Sequence, residues 1–208
     1  DLNALFGIAG FAGGVGIGTI FLKRGYSLQR TYALSKLESA IMPAIQVGLL
    51  VLVVTAPAFI FFSQKGPGAM HAPWLISLAA GLVVGGLSQF SRLCTVGGFR
   101  DLFLFKKSIL IFGYLAVLIG VFVVNISFGN FHLGFENQPI AHTDGLWNFL
   151  GMALAGFCSV LLGGCPLRQL IMTGEGNSDS AVTVLGLAAG AAFAHNFGLA
   201  ASGAGPTL

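Results

Sequence analysis

Six stretches of this chain are apolar for long enough to cross a bilayer: about 4–22, 40–62, 74–91, 108–128, 146–162 and 181–201. A helix rises 1.5 Å per residue, so about 20 apolar residues cover a hydrocarbon core about 30 Å thick. Charge is correspondingly scarce. Of 208 residues, 8% are charged and 55% hydrophobic, against about 25% charged in an ordinary soluble domain. So few charges cannot cover the surface of a soluble domain of this length. The composition excludes a soluble enzyme, a disordered chain and a nucleic-acid binder. It leaves an all-α, polytopic membrane helix bundle whose surroundings are the lipid bilayer, with residues 1–208 forming a single transmembrane domain.

Between the stretches, basic residues alternate in number. Lys23, Arg24, Arg30 and Lys36 follow the first, Lys65 the second, and Arg92, Arg100, Lys106 and Lys107 the third; the fourth gap has none and the fifth has Arg168. Nine of the ten Lys and Arg thus fall in odd-numbered loops. The positive-inside bias places those loops in the cytoplasm and both chain ends outside. Trp74 and Trp147 open spans on the outer side, as an aromatic belt requires. The even loops carry the turn signal Gly66-Pro67-Gly68 and scattered histidines (His71, His132, His142) with no metal-ligand spacing.

Two self-similarities run through the chain. A shift of 71 residues sets Gly85 on Gly156, Ser88 on Ser159 and Cys94 on Cys165. A shift of 179 sets Leu5-Phe6-Gly7-Ile8-Ala9 on Val184-Leu185-Gly186-Leu187-Ala188. Five crossings separate the second pair, so its copies run in opposite senses, as in inverted-repeat transporters. The repeat then starts before Asp1, and the sequence reads as a piece of a longer protein.

Chemistry concentrates at two interruptions. In residues 81–101 (GLVVGGLSQFSRLCTVGGFRD), Arg92 and Arg100 flank Cys94, and Gly97-Gly98 free the backbone from helical geometry. A thiol beside cations and free N–H groups suits a small anion; a helix end with snorkelling arginines and a packed cysteine is the plainer alternative. In residues 163–179 (GGCPLRQLIMTGEGNSD), Gly163-Gly164 stop one helix and Pro166 starts another, with Cys165 at the junction and Arg168 one turn on. The new helix directs its N-terminal dipole at the cysteine. A structural kink is the alternative. Cys158, with no charge or glycine pair beside it, reads as a small buried hydrophobe. Arg100-Asp101 reads as a local ion pair, His195-Asn196 as a helix-packing hydrogen bond, and Ser178 or Asp179 as a helix cap. Gly10, Gly13, Gly14, Gly16 and Gly18, with the Ala189–Ala192 run, supply faces for close helix packing.

These blocks, GGLSQFSRLCTVGGFRD (85–101) and LLGGCPLRQLIMTGEGNSDSAVTVLGLAAGAAFAHNFGLA (161–200), resemble the YeeE/YedE family of bacterial membrane transporters, above all the YedE branch to which selenium transport is attributed. The resemblance covers the chain as the later part of a longer family member. It implies a pseudo-symmetric bundle with inverted repeats and short broken helices around a cysteine-lined path, with Cys94 and Cys165 at the family's motif cysteines.

The function expected is transport of a small sulfur- or selenium-containing anion, thiosulfate- or selenite-like, by a multi-pass protein of the bacterial inner membrane. The substrate-binding candidates are Cys94, Cys165, Arg92, Arg100, Arg168, Gly97, Gly98, Gly163 and Gly164. No catalytic residue, metal or cofactor is expected. The rival readings are a membrane thiol subunit that relays persulfide sulfur or selenium to a cytosolic sulfur-carrier protein, and a structural assembly subunit.

Overall fold

The first expected stretch folds as α1 (Asn3–Lys23), and every other regular element among the described residues of this computed structural model is likewise a helix. Those residues are 2–28, 32, 35–59, 72–136 and 142–199. The further helices are α2 (Lys36–Thr55), α3 (Trp74–Ser91), α4 (Thr95–Phe105), α5 (Ile109–Ser127), α6 (Gly145–Leu161), α7 (Pro166–Gly174) and α8 (Ser178–Asn196). Arg30, Lys65, His71, the Gly66-Pro67-Gly68 turn and the expected span ends at 60–62 and 200–201 lie outside the described residues.

Among the described residues, five segments are long and apolar enough to cross a membrane: Asn3–Lys23, Lys36–Thr55, Trp74–Phe105, Ile109–Ser127 and Gly145–Gly174. Two of them are broken helices, α3 with α4 and α6 with α7. Residues 92–107, read from their basic residues as a loop, therefore contain the 11-residue α4. The sixth apolar stretch folds into α8, whose polar ends, Ser178-Asp179 and His195-Asn196, keep it outside those five.

Local chemistry sets the helix starts. Ser35 and Glu38 form a reciprocal capping box at α2, with the Ser35 N–H donating to Glu38 Oε2 at 2.8 Å. Asp144 caps α6 through the Trp147 N–H at 3.3 Å. At α8 the cap is Asn177, whose Oδ1 accepts the Ser180 N–H at 2.9 Å. The expected caps, Ser178 and Asp179, lie inside the first turn instead, because Asn177 already holds the extended conformation a cap needs.

α1 and α6 make the closest packing. Gly10 faces the Phe149 carbonyl, Gly14 the Ala153 carbonyl and Gly18 the Val160 side chain, while Gly156 faces the Phe11 carbonyl. Residue numbers rise together along both helices, so they run parallel, as the expected alternation of crossings requires of the first and fifth stretches. Glycines four apart remove every Cβ from one stripe and let backbones touch, which is how helices gain attraction where lipid already solvates apolar side chains. Gly13 faces open space, and a Cβ on Gly16 would lie 3.7 Å from the Phe103 ring at the side of α4. The glycine face is thus narrower than the composition of α1 suggests. Phe21 adds an edge-to-face contact with Phe157 at 5.4 Å.

Among the described residues, buried apolar side chains are few: Phe11, Val15, Val96, Val160 and Leu161, with Cys94 and Cys165 among them. α2 and α5 bury no residue, and their apolar side chains face outward, as lipid allows. The core of this fold is the meeting place of α1, α4, α6 and the two breaks.

Candidate functional site

The two breaks have the same construction. α3 ends with Arg92 in the left-handed conformation (φ 53°) and the Leu93 N–H donating to Ser88 O at 3.1 Å. α6 ends with Gly163 left-handed (φ 85°) and the Gly164 N–H donating to Ser159 O at 3.1 Å. This is the bond a helix makes when it stops on a left-handed residue. Two residues later a cysteine turns extended and caps the next helix: Cys94 for α4, Cys165 for α7. The 71-residue self-similarity is therefore a repeated helix–break–helix unit.

Both cysteines are buried, at 7% and 5% exposure. The Cys94 sulfur accepts the Gly97 N–H at 3.2 Å. A Cβ on Gly97 would lie 3.1 Å from Leu110 Cδ1, and one on Gly98 would lie 3.2 Å from the Ile111 backbone. This pair of glycines seats the first turn of α4 against its own cap and against α5. Pro166 occupies the first position of α7, where the missing N–H costs nothing.

The repeats close on each other. The Cys94 and Cys165 side chains are neighbours in one buried cluster. The Cys165 backbone N–H lies near the Cys94 sulfur, and those of Thr95, Leu167 and Arg168 lie near the Cys165 sulfur, which takes no cap hydrogen bond from its own helix. Two helix N-termini thus converge on a thiol pair. Their partial positive charge and free donors suit an electron-rich, polarizable ligand. A cavity of about 320 Å³ reaches Cys165 and is walled by Phe11, Phe99, Tyr114 and Met152, with Thr95 among its polar members.

The arginines divide. Arg100 is held by its neighbour, with Nε and Nη2 each 2.9 Å from Asp101 Oδ1. Arg92 is exposed at its turn, outside the buried cluster. Arg168 reaches across to α3: Nη1 donates to Gln89 Oε1 at 3.1 Å, and Nη2 lies 3.7 Å from Glu175 Oε2. Gln89 Nε2 donates in turn to Glu175 Oε1. Gly163 and Gly164 form the second break itself; a Cβ on Gly164 would press on Arg168 Cγ at 3.2 Å.

Cys158 is exposed, not packed. Helix α6 turns Gly156 and Val160 toward α1, which leaves Cys158 on the far side. His195 is exposed too, and the Asn196 amide donates to Ala192 O of its own helix at 2.8 Å instead of bracing a neighbour.

Sequence reasoning passes over Gln89, Gln169 and Tyr114, and gives Glu175 no part in the site. Gln169, 2% exposed, donates to Leu162 O at 2.9 Å and satisfies the last turn of α6. The two glutamines had a signal: amides inside apolar segments are costly unless they have work there. Glu175 lies two helical turns beyond Arg168, a spacing that flags the pair. Nothing local marks Tyr114.

Comparison with known proteins converges on the same region. The model of the family described as Sulphur transport matches residues 90–203, which hold both cysteine breaks. The curated Thiosulfate transporter TsuA of Escherichia coli (strain K12) is 30% identical over 111 residues, 51% of this chain. The match spans 30% of that relative's length. No solved structure matches the chain.

Proposed function

This chain belongs to the Sulphur transport family, and from that premise we propose that it carries a small sulfur-containing anion across the bacterial inner membrane, past the Cys94–Cys165 pair. The observation that carries the reading is two buried thiols in contact at the N-termini of α4 and α7. A thiosulfate-like anion has a soft terminal sulfur and a hard, charged oxygen end. Thiol S–H groups suit the first, and helix N–H groups with arginine suit the second. An analogue with selenium as its terminal atom presents the same soft end, and selenite presents the same charged oxygen end, so both belong to the proposed substrate class. The relative's name adds thiosulfate as the first substrate to try. The inverted relation of α1 and α8 belongs to this proposal as well.

The test is uptake of labelled thiosulfate into proteoliposomes, with selenite and sulfate as competitors. Saturable uptake that thiosulfate analogues compete for supports the reading; vesicles with no flux overturn it.

A second reading takes Cys165, as a thiolate, to be the nucleophile, because it sits at the N-terminus of α7 beside a second cysteine. In it, that thiolate attacks the outer sulfur of thiosulfate, the S–S bond breaks, sulfite leaves and a Cys165 persulfide passes to a cytosolic carrier. Intact mass after incubation separates the two: a sulfur adduct on Cys165 selects relay, and unmodified protein with flux selects transport.

A further inference from the structure

Arg168 serves both broken helices. Its backbone N–H faces the Cys165 sulfur, while its side chain leaves α7 and donates to Gln89 on α3. Gln89 donates to Glu175, and Glu175 returns to Arg168 at 3.7 Å. Three side chains close a ring across α3, α7 and the residue that ends α7, with Arg168 one turn beyond Cys165.

The ring occupies the donors that an oxyanion needs. A guanidinium fork and a primary amide recognise a carboxylate and a sulfur oxyanion in the same way. The tie to Glu175 is also easy to break. Its N–O distance is long, and the side chains keep 20% and 37% of their surface exposed, so water and salt screen the attraction. A dianion brings twice the carboxylate's charge to the same guanidinium.

We propose that Glu175 is a resident competitor for the anion at Arg168: an entering sulfur oxyanion displaces the carboxylate, takes the donors of Arg168 and Gln89, and unties α3 from α7 beside the cysteines. The proposal rests on the anion-transport reading above and adds its specificity. The oxygen-bearing end of the substrate is read by Arg168 and Gln89, and the sulfur end by the thiols. Glu175 makes entry depend on charge, because an anion must outbid a carboxylate to open the ring.

The test measures labelled thiosulfate binding and uptake with the full chain in proteoliposomes. Glu175→Gln keeps the size and hydrogen bonding and removes the charge. It should tighten thiosulfate binding by about two- to fivefold, the span of a partly exposed ion pair. Arg168→Gln should weaken binding by at least about tenfold, the loss of a charge-assisted contact, and Arg168→Lys, with charge but no fork, should fall between. Hydrogen exchange along α7 should rise on adding thiosulfate to the wild type and be high beforehand in Glu175→Gln. Wild-type binding with a Glu175→Gln variant that binds equally or more weakly overturns the competitor role, as does exchange along α7 indifferent to thiosulfate. A wild type that neither binds nor carries thiosulfate overturns instead the transport reading on which the proposal rests.

Discussion

Cys94 and Cys165 meet side chain to side chain, 71 residues apart, each the cap of a short helix and each facing a backbone N–H at the other's break. The two broken helices therefore terminate on each other. Neither short helix is long enough to hold alone: α4 has 11 residues and α7 has 9. Disturbing one cysteine changes the environment of the other.

The exposure pattern separates the three thiols chemically. In detergent solution a small maleimide should label Cys158 first and leave Cys94 and Cys165 unmodified until the protein unfolds, read by peptide mass spectrometry. Equal labelling of all three contradicts the buried pair.

Helix α1 offers a paired comparison. Gly14→Ala drives a Cβ into the Ala153 carbonyl and should cost about 1–3 kcal/mol, the usual range for overpacking. Gly13→Ala, one residue away and facing open space, should leave the thermal midpoint unchanged. Equal shifts in the two variants would place the α1–α6 interface elsewhere.

The breaks make a second pair. Gly163→Ala forces a side chain into the left-handed region and should cost about 1–2 kcal/mol. Arg92→Gly relieves the corresponding strain at the first break, so stability should rise while any role of the Arg92 charge is lost. Thermal melts read the first effect and thiosulfate uptake the second. An Arg92→Gly protein that is more stable and fully active confines Arg92 to the turn.

Gln169 is a buried brace. Gln169→Leu leaves the Leu162 carbonyl without its donor and should cost about 1–3 kcal/mol. Its effect should show in unfolding and in hydrogen exchange along α7. A variant that exchanges like the wild type shows that the brace is not needed.

What the sequence makes legible is what depends on neighbouring residues. Apolar length marks the spans, Gly163-Gly164 and Pro166 mark a stop and a start, and the matched serines and cysteines mark a repeat. Close packing by small residues is legible too, though only Gly10, Gly14 and Gly18 of the glycines in α1 press on α6. The ring of Gln89, Arg168 and Glu175 is not, because its contacts join residues 79 and 86 positions apart and no periodicity says which polar groups meet. Helix α4 is hidden for another reason: Arg92, Arg100, Lys106 and Lys107 make 92–107 look like a loop. The helix comes instead from a cysteine cap and a glycine pair seated on α5. Cys158 is misplaced because sequence spacing alone does not say which side of α6 faces α1.

The most direct measurement compares labelled thiosulfate uptake in proteoliposomes across Cys94→Ala, Cys165→Ala and Cys158→Ala, each checked for a wild-type melting profile. The thiol path predicts that the first two each lose at least about tenfold, as expected when a specific contact to a charged substrate is removed, while the third keeps wild-type uptake. Full uptake in both Cys94→Ala and Cys165→Ala would contradict it.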